Sequence, residues 1–348
     1  MELKELIIAL CSLMSISGHE ARSHKELIEL VGESFDETYA DAVGNILLIR
    51  RCGRENAARI LIDTHFDEIG MIVTDICEGG FLKVTSIGGL DPSILQASDV
   101  VIYGKETLRG VITSTPPHLR GSSDSKKLTE LHSLYIDTGY SKEEIETIVS
   151  IGTPVGFAPR YTELLGSNLV GKSFDNKACA AAAIYGIAGA NKARLAADVY
   201  LLLSCHEETV RIGGVAPAAF GISPDYAMVI DVNLARVPDT PKYETVEYGG
   251  GVSVSISPVT DKRLTRMTEQ LCRDKQISFT RVAAPSSTGT NTPALNLVGQ
   301  GVPTVDIGLP LKSMHTYSEV INMEDAAMLS ALVREFVCAD KIKEAFAV

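Results

Sequence analysis

A short acidic knot, Ser204-Cys205-His206-Glu207-Glu208, follows the apolar run Val199–Leu203 and precedes Gly213-Gly214. The run reads as a buried strand, so the two carboxylates sit where a strand gives way to a loop. In an open α/β sheet, ligands collect there, just outside the carboxyl ends of the strands. Adjacent glutamates repel each other unless something cationic lies beside them. A metal ion held by one carboxylate is the simplest remedy, and it leaves the other carboxylate for proton transfer.

Residues of matching chemistry recur at other element ends. The strand Arg59–Thr64 runs into His65-Phe66-Asp67-Glu68, and period 2 puts His65 and Asp67 on one side of an extended chain. A carboxylate beside a histidine is the usual way to orient a metal-bound imidazole and fix its tautomer. Asp175 stands just before an alanine-rich helix, Asp231 ends the apolar strand Tyr226–Val232, and His315 follows the strand Pro303–Ile307. Singly, each has a plainer explanation: a polar strand end, a helix N-cap, a turn former. Together, His65, Asp175, Glu208, Asp231 and His315 are two imidazoles and three carboxylates, a donor set that suits two divalent cations of the zinc or cobalt type. With one carboxylate bridging, each cation keeps an imidazole and a further carboxylate. Such pairs sit roughly 3.5–4 Å apart and clamp both attacking and leaving oxygens. Glu207 would take the proton of the metal-bridged water and return it to a leaving amine.

The elements that must position these residues alternate as strand and helix. Two helices open the chain (Glu2–Ser15, about His19–Glu33), and strands follow at about Glu37–Ala40, Asn45–Arg50 and Arg59–Thr64. From about Gly70 to Arg160, short strand-like runs are broken by glycine and proline, including Gly88-Gly89 and Pro116-Pro117, with one helix at Ser141–Ser150. That texture predicts a small β-rich barrel or sandwich inserted into the α/β domain. The helix Ala178–Lys192, the strand Asp198–Leu203, the strands Val252–Ile256 and Ile277–Val282 around the helix Lys262–Lys275, and the closing helix Met323–Cys338 complete the pattern. The expected fold is α/β: a doubly wound mixed-sheet domain (1–68 and 166–348) interrupted by a β-rich barrel or sandwich domain (69–165).

Composition narrows the function. A chain of 348 residues, 45% hydrophobic and 22% charged, has ample core for such a fold. A net charge of -12 argues against nucleic acid as a partner, since phosphate binding needs a basic face. The N-terminal apolar spacing is that of an amphipathic helix rather than a signal peptide, and no uncharged run approaches the roughly 20 residues of a membrane span. Seven cysteines without C-x-x-C pairs suit reduced thiols, so a cytoplasmic location is expected.

The motifs HFDEIG (65–70), LRGVITSTPPHL (108–119), LVGKSFDNK (169–177), the glutamate pair (207–208), VIDV (229–232) and MHTYSE (314–319) occur in a specific order and spacing. In these the whole chain resembles the glutamyl/tetrahedral aminopeptidase family of dinuclear metallopeptidases, some of which carry an endoglucanase name. The resemblance implies that His65 and Asp231 hold one metal, that Glu208 and His315 hold the other, and that Asp175 bridges them. It implies Glu207 as general base and Asp67 as the partner that orients His65. It also implies that the α/β domain is catalytic and the β-rich insertion a dimerisation domain, peptide substrates with a free N-terminus, and homo-oligomers, dimers that often assemble further into dodecamers. Three departures stand out. Asp175-Asn176-Lys177 replaces Asp-Asp-Arg, Thr209-Val210 replaces Val-Gly, and Lys312-Ser313 replaces Arg-Tyr. None removes a ligand. Lys312 and Arg211 are candidates for an acidic side-chain preference.

Other readings are a related amidohydrolase or deacylase on the same scaffold, a non-catalytic metal-binding scaffold, and a cysteine hydrolase using Cys205 and His206. The last suffers because neighbours on a strand point to opposite faces. A glycanase is disfavoured by the absence of tryptophan for a sugar platform.

Overall fold

The computed structural model describes residues 1–115, 130–210 and 213–346. The larger body is an eleven-stranded mixed sheet. Four of its strands run parallel side by side: Asp198–Ser204, Arg59–His65, Tyr226–Leu234 and Thr304–Lys312. These strands alternate strictly between two apolar layers, which is how a sheet covered on both sides is written into sequence. Leu201, Ile60, Ile62, Met228 and Ile230 face one layer; Leu202, Leu61, Ala227 and Val229 face the other. The first layer is filled by the helices Leu3–Ser12, Phe174–Ala188 and Met323–Phe336, and the second by Val215–Ile222 and the short Thr292–Leu295. This is the expected doubly wound arrangement.

The alanine-rich segment forms the central helix Phe174–Ala188, buried along nearly its whole length. Its regular turns begin at Lys177, beside the expected Ala178, and end at Ala188, short of the expected Lys192; Phe174 ahead of them is fully buried. Asp175 and Asn176 depart there from helical geometry, and the peptide between them is cis.

The segment between Gly70 and Phe157 contains a closed six-stranded antiparallel barrel, in the order Gly70–Ile76, Leu82–Ile87, Leu134–Asp137, Thr107–Ser114, Asp99–Tyr103, Pro154–Phe157. It has its own apolar core, in which Met71, Leu82, Val100, Ile112, Ile136 and Val155 are buried. The expected helix is present as Lys142–Ile148, started by Ser141 and Glu144 in a reciprocal cap. Beyond the barrel, Thr162–Leu164 pairs with Asn168–Gly171 at one edge of the large sheet. Residues 116–119 of the 108–119 motif, Pro116-Pro117 among them, lie outside the described residues. Among the described residues no helix is long and apolar enough to cross a membrane.

Candidate metal centre

The parallel strands deliver their functional ends to one place. His65 is the last residue of its strand, Asp231 lies six residues into Tyr226–Leu234, and the turn after Ser204 carries Glu207 and Glu208. Asp175 comes from the first turn of the central helix, and His315 follows the strand Thr304–Lys312. The donor atoms of His65, Asp175 and Asp231 fall within 4.8 Å of one another, and so do those of Asp175, Glu208 and His315. Asp175 belongs to both groups. One of its oxygens lies 3.1 Å from His65 Nε2, and the other lies 3.3 Å from His315 Nε2. Asp231 approaches His65 Nε2 at 3.6 Å, and Glu208 approaches His315 Nε2 at 3.4 Å.

The imidazole tautomers follow from what their other nitrogens touch. His65 Nδ1 is 3.0 Å from the carbonyl oxygen of Asp67, and His315 Nδ1 is 3.0 Å from that of Gly89. A carbonyl only accepts, so in each ring Nδ1 carries the proton, and a neutral ring turns its Nε2 lone pair toward carboxylate oxygens. Lone pair against carboxylate is repulsive unless the ring takes a second proton or a cation lies between. Burial would raise Asp175 too, but its contacts with His315 and His65 hold it well below the usual carboxylate range, whereas the other two carboxylates show the deficit of positive charge. Burial pushes Asp231 up to about 7. Burial, and after it the charge on Asp175, pushes Glu208 well above the usual carboxylate range. Glu208 Oε1 is buried without a hydrogen-bond partner. Two imidazole nitrogens and three carboxylates, one of them with an orphaned oxygen, are a donor set that fits divalent cations.

The Asp67 carboxylate, the expected partner of His65, stands 3.5 Å from Nδ1, farther than the Asp67 carbonyl, and its oxygens are taken up elsewhere. Fully buried, it accepts the backbone N–H of Glu207 and that of Glu208, each at 3.1 Å, on separate oxygens. Glu319 performs the same task on the other side. Its buried carboxylate accepts the N–H of Asp175 at 3.1 Å and that of His315 at 3.0 Å. Glu319 lies in the 314–319 motif, but the sequence reading gave it no role, because nothing in the sequence marks a backbone amide as its target. Asp63 is a second omission. Burial raises its carboxyl to about 6, and its Oδ2 accepts from Asn291, which also donates to Ser204.

These residues open onto a cavity of about 420 Å³. Besides the five candidate ligands and Glu207, it is lined by Gly89 of the barrel region and by a neutral wall of Val232, Asn233, Leu234, Thr288, Gly289, Thr290 and Met314. A side chain at Gly89 would put its Cβ 2.8 Å from His315 Nδ1, so the contact requires glycine. Lys312 is not part of the lining. Its ammonium sits 3.5 Å over the Tyr248 ring. Arg211 lies outside the described residues.

The departures from the family pattern each find partners. Asn176 donates to the Ile230 carbonyl at 2.8 Å, a contact that an ionised carboxylate at this position could not make. Lys177 donates to the Leu13 carbonyl at 2.6 Å and pairs with Glu68 at 3.3 Å. The Thr209 hydroxyl meets that of Ser17 at 2.9 Å. The objection raised above to Cys205 and His206 does not hold in geometry. The strand ends at Ser204, and the left-handed backbone of His206 (φ 63) brings the two side chains to 3.5 Å. The chemistry is against them instead, because burial pushes the Cys205 thiol up to about 12.

With this geometry in view, relatives identify the chain's lineage. Residues 44–332 match the model of the M42 glutamyl aminopeptidase family. The chain belongs to that family. It is therefore a peptide hydrolase. Among curated relatives it is 27% identical to the lysyl aminopeptidase of Pyrococcus furiosus, over 92% of each chain. Among solved structures it resembles an aminopeptidase from Desulfurococcus kamchatkensis with a TM-score of 0.90 and 28% identity, covering 99% of this chain and 98% of that one. It also resembles the Pyrococcus horikoshii TET1 peptidase, with a TM-score of 0.84 and 26% identity over 97% and 99% of the two chains. That peptidase assembles into a tetrahedron or a large octahedral shell.

Proposed function

We propose that this M42 family member is a cytosolic aminopeptidase that removes N-terminal residues from peptides with the help of two divalent cations, zinc or cobalt. The observation that carries the proposal is the two-sided placement of Asp175, with one oxygen toward His65 and the other toward His315. Asp231 completes the first group and Glu208 the second. Cations held there supply Lewis acidity and a water acidic enough to be deprotonated near neutral pH.

The chain's own residues do the rest. Glu207 lines the same cavity but is not needed as a ligand, and its amide is fixed by Asp67. It acts as general base on the attacking water and as general acid toward the leaving amine. Asp67 and Gly89 hold the two imidazoles with Nε2 directed at the cation positions. Seven free cysteines suit a reducing compartment. We assign the insertion at 69–165 to dimerisation, and the assembly of the P. horikoshii relative supports a homo-oligomer.

The test is chelation followed by add-back, assayed on aminoacyl anilides. Cleavage should vanish with EDTA, return with zinc or cobalt, and be absent from substrates whose amine is acetylated. Full activity in the metal-free protein rules out the mechanism. Metal binding without cleavage of any free-amine substrate would favour a scaffold, and preference for the blocked amine a deacylase.

A further inference from the structure

We propose a third cation site, separate from the cavity, in which Glu20, Cys205 and His206 bind a thiophilic divalent ion such as zinc. The three come from two turns that meet behind the glutamate pair. Glu20 opens the short 3-10 segment Glu20–Ser23, while Cys205 and His206 lie in the turn after the strand Asp198–Ser204. A carboxylate oxygen, the sulfur and an imidazole nitrogen all lie within 4.8 Å of one another. Sγ of Cys205 is 3.5 Å from Nδ1 of His206. Zinc–sulfur and zinc–nitrogen bonds of about 2.3 and 2.0–2.1 Å, opened to a tetrahedral angle, place the two donors about 3.5 Å apart. The pair is thus already spaced for a shared ion, and the left-handed backbone at His206 allows neighbouring residues to converge this way.

The surroundings favour a cation. Glu20 is 3% and Cys205 2% exposed. Glu20 accepts the His206 amide at 3.3 Å, and among the described residues no lysine or arginine forms an ion pair with it. Burial first, and then Glu20, Asp67 and Asp41, keep the thiol protonated. The same concentration of negative charge attracts a divalent ion, which displaces the thiol proton to solvent on binding. One imidazole, one thiolate and one carboxylate is a zinc-type set with a fourth position left for water. His206 immediately precedes Glu207, so an ion here would pin the chain leading into the base.

Sulfur distinguishes this site from the centre proposed above, whose five ligands offer only nitrogen and oxygen. Full-length protein is stripped with a chelator and titrated with cobalt(II). Visible bands from the nitrogen- and oxygen-ligated ions should saturate first, and then a near-ultraviolet sulfur-to-cobalt charge-transfer band should grow. That band should be lost in Cys205→Ser. In Glu20→Gln and in His206→Asn its midpoint should move to cobalt concentrations about 10-fold higher or more. Asparagine is chosen because it tolerates the left-handed backbone, so this variant serves if Cys205→Ser fails to fold. With zinc, the wild type should hold three ions per chain and Cys205→Ser two. Visible bands without a thiolate band, or a thiolate band that survives Cys205→Ser, overturn this site and leave the paired centre standing. No cobalt uptake at all overturns both.

Discussion

Replacing Glu68 with glutamine should destabilise the protein by about 3 kcal/mol at neutral pH, by a route that can be worked out from its neighbours. Glu68 is 3% exposed. Its Oε2 pairs with Lys172 at 2.5 Å and accepts from the Ser173 hydroxyl, and its Oε1 pairs with Lys177 at 3.3 Å and accepts the Ser15 amide at 3.0 Å. Burial alone would raise the carboxyl. Lys172 and Lys177 outweigh burial and hold it at about 2, against an ordinary 4.5. At about 1.4 kcal/mol for each tenfold, that gap favours the ionised carboxylate by about 3 kcal/mol. Glutamine has the shape of the neutral acid, so it forfeits this term and leaves two ammonium groups buried. Breaking a buried pair from one side costs about 3–5 kcal/mol, which agrees.

The folded value lies below the unfolded one, so the contribution is complete above about pH 4.5 and disappears as pH falls toward 2. The gap between wild type and variant should therefore be widest at pH 7 and close across that window. Urea unfolding reports it, followed by far-ultraviolet circular dichroism because the chain has no tryptophan. The midpoint should drop by roughly 1 M for an m-value of about 3 kcal/mol/M. Equal midpoints at pH 7, or a gap that does not shrink in acid, would refute the reasoning. Burial pushes Lys177 down to about 8, against the pull of Glu68. The network's role is positional, since Lys172, Ser173 and Lys177 bracket Asp175.

Three further outcomes are expected. Glu207→Gln should retain its metal content and lose turnover by about 10²–10⁴-fold; wild-type rates would place the base elsewhere. Glu319→Gln, which turns an amide group toward the N–H groups of Asp175 and His315, should weaken cation affinity by about 10–100-fold while far-ultraviolet dichroism is unchanged. Affinity equal to wild type would show that those loops hold their shape without it. Because the described wall of the cavity is neutral, leucyl and methionyl anilides should be cleaved with higher kcat/KM than glutamyl or lysyl ones. A charged first residue at the top of the panel would contradict that reading.

The candidate ligands were legible because a parallel sheet advertises its functional edge. His65, Asp231 and the glutamate pair each stand where an apolar run meets polar residues, and the run is itself the signal. Strand limits were less legible where backbone geometry competes with residue type. Thr304–Lys312 continues past the expected Ile307 through Gly308 and Pro310. It needs glycine because a Cβ there would meet Ser253 Oγ at 2.3 Å. Proline is tolerated near the end of the strand, where it lies opposite Asn233. The closure of the barrel was not legible either. It depends on Leu134–Asp137 and Pro154–Phe157, four residues each, too short for alternation to stand out. Glu319 was hidden for a different reason: what it recognises is backbone, and every residue but proline carries the same amide.

That last point bears on how the centre keeps its shape. Four backbone N–H groups donate to the buried side chains of Asp67 and Glu319 and so fix the segments that bear Glu207, Glu208, Asp175 and His315. The imidazoles are turned by two carbonyls, one of them from Gly89 at the edge of the barrel. The separation of the candidate ligands is therefore set by groups that bind no cation themselves, and one of those groups belongs to the inserted region. An insertion that only joined subunits would have no need to reach His315. Here the backbone at Gly89 fixes which imidazole nitrogen faces Asp175 and Glu208, so the barrel and the sheet must be folded against each other before the second group of ligands is complete.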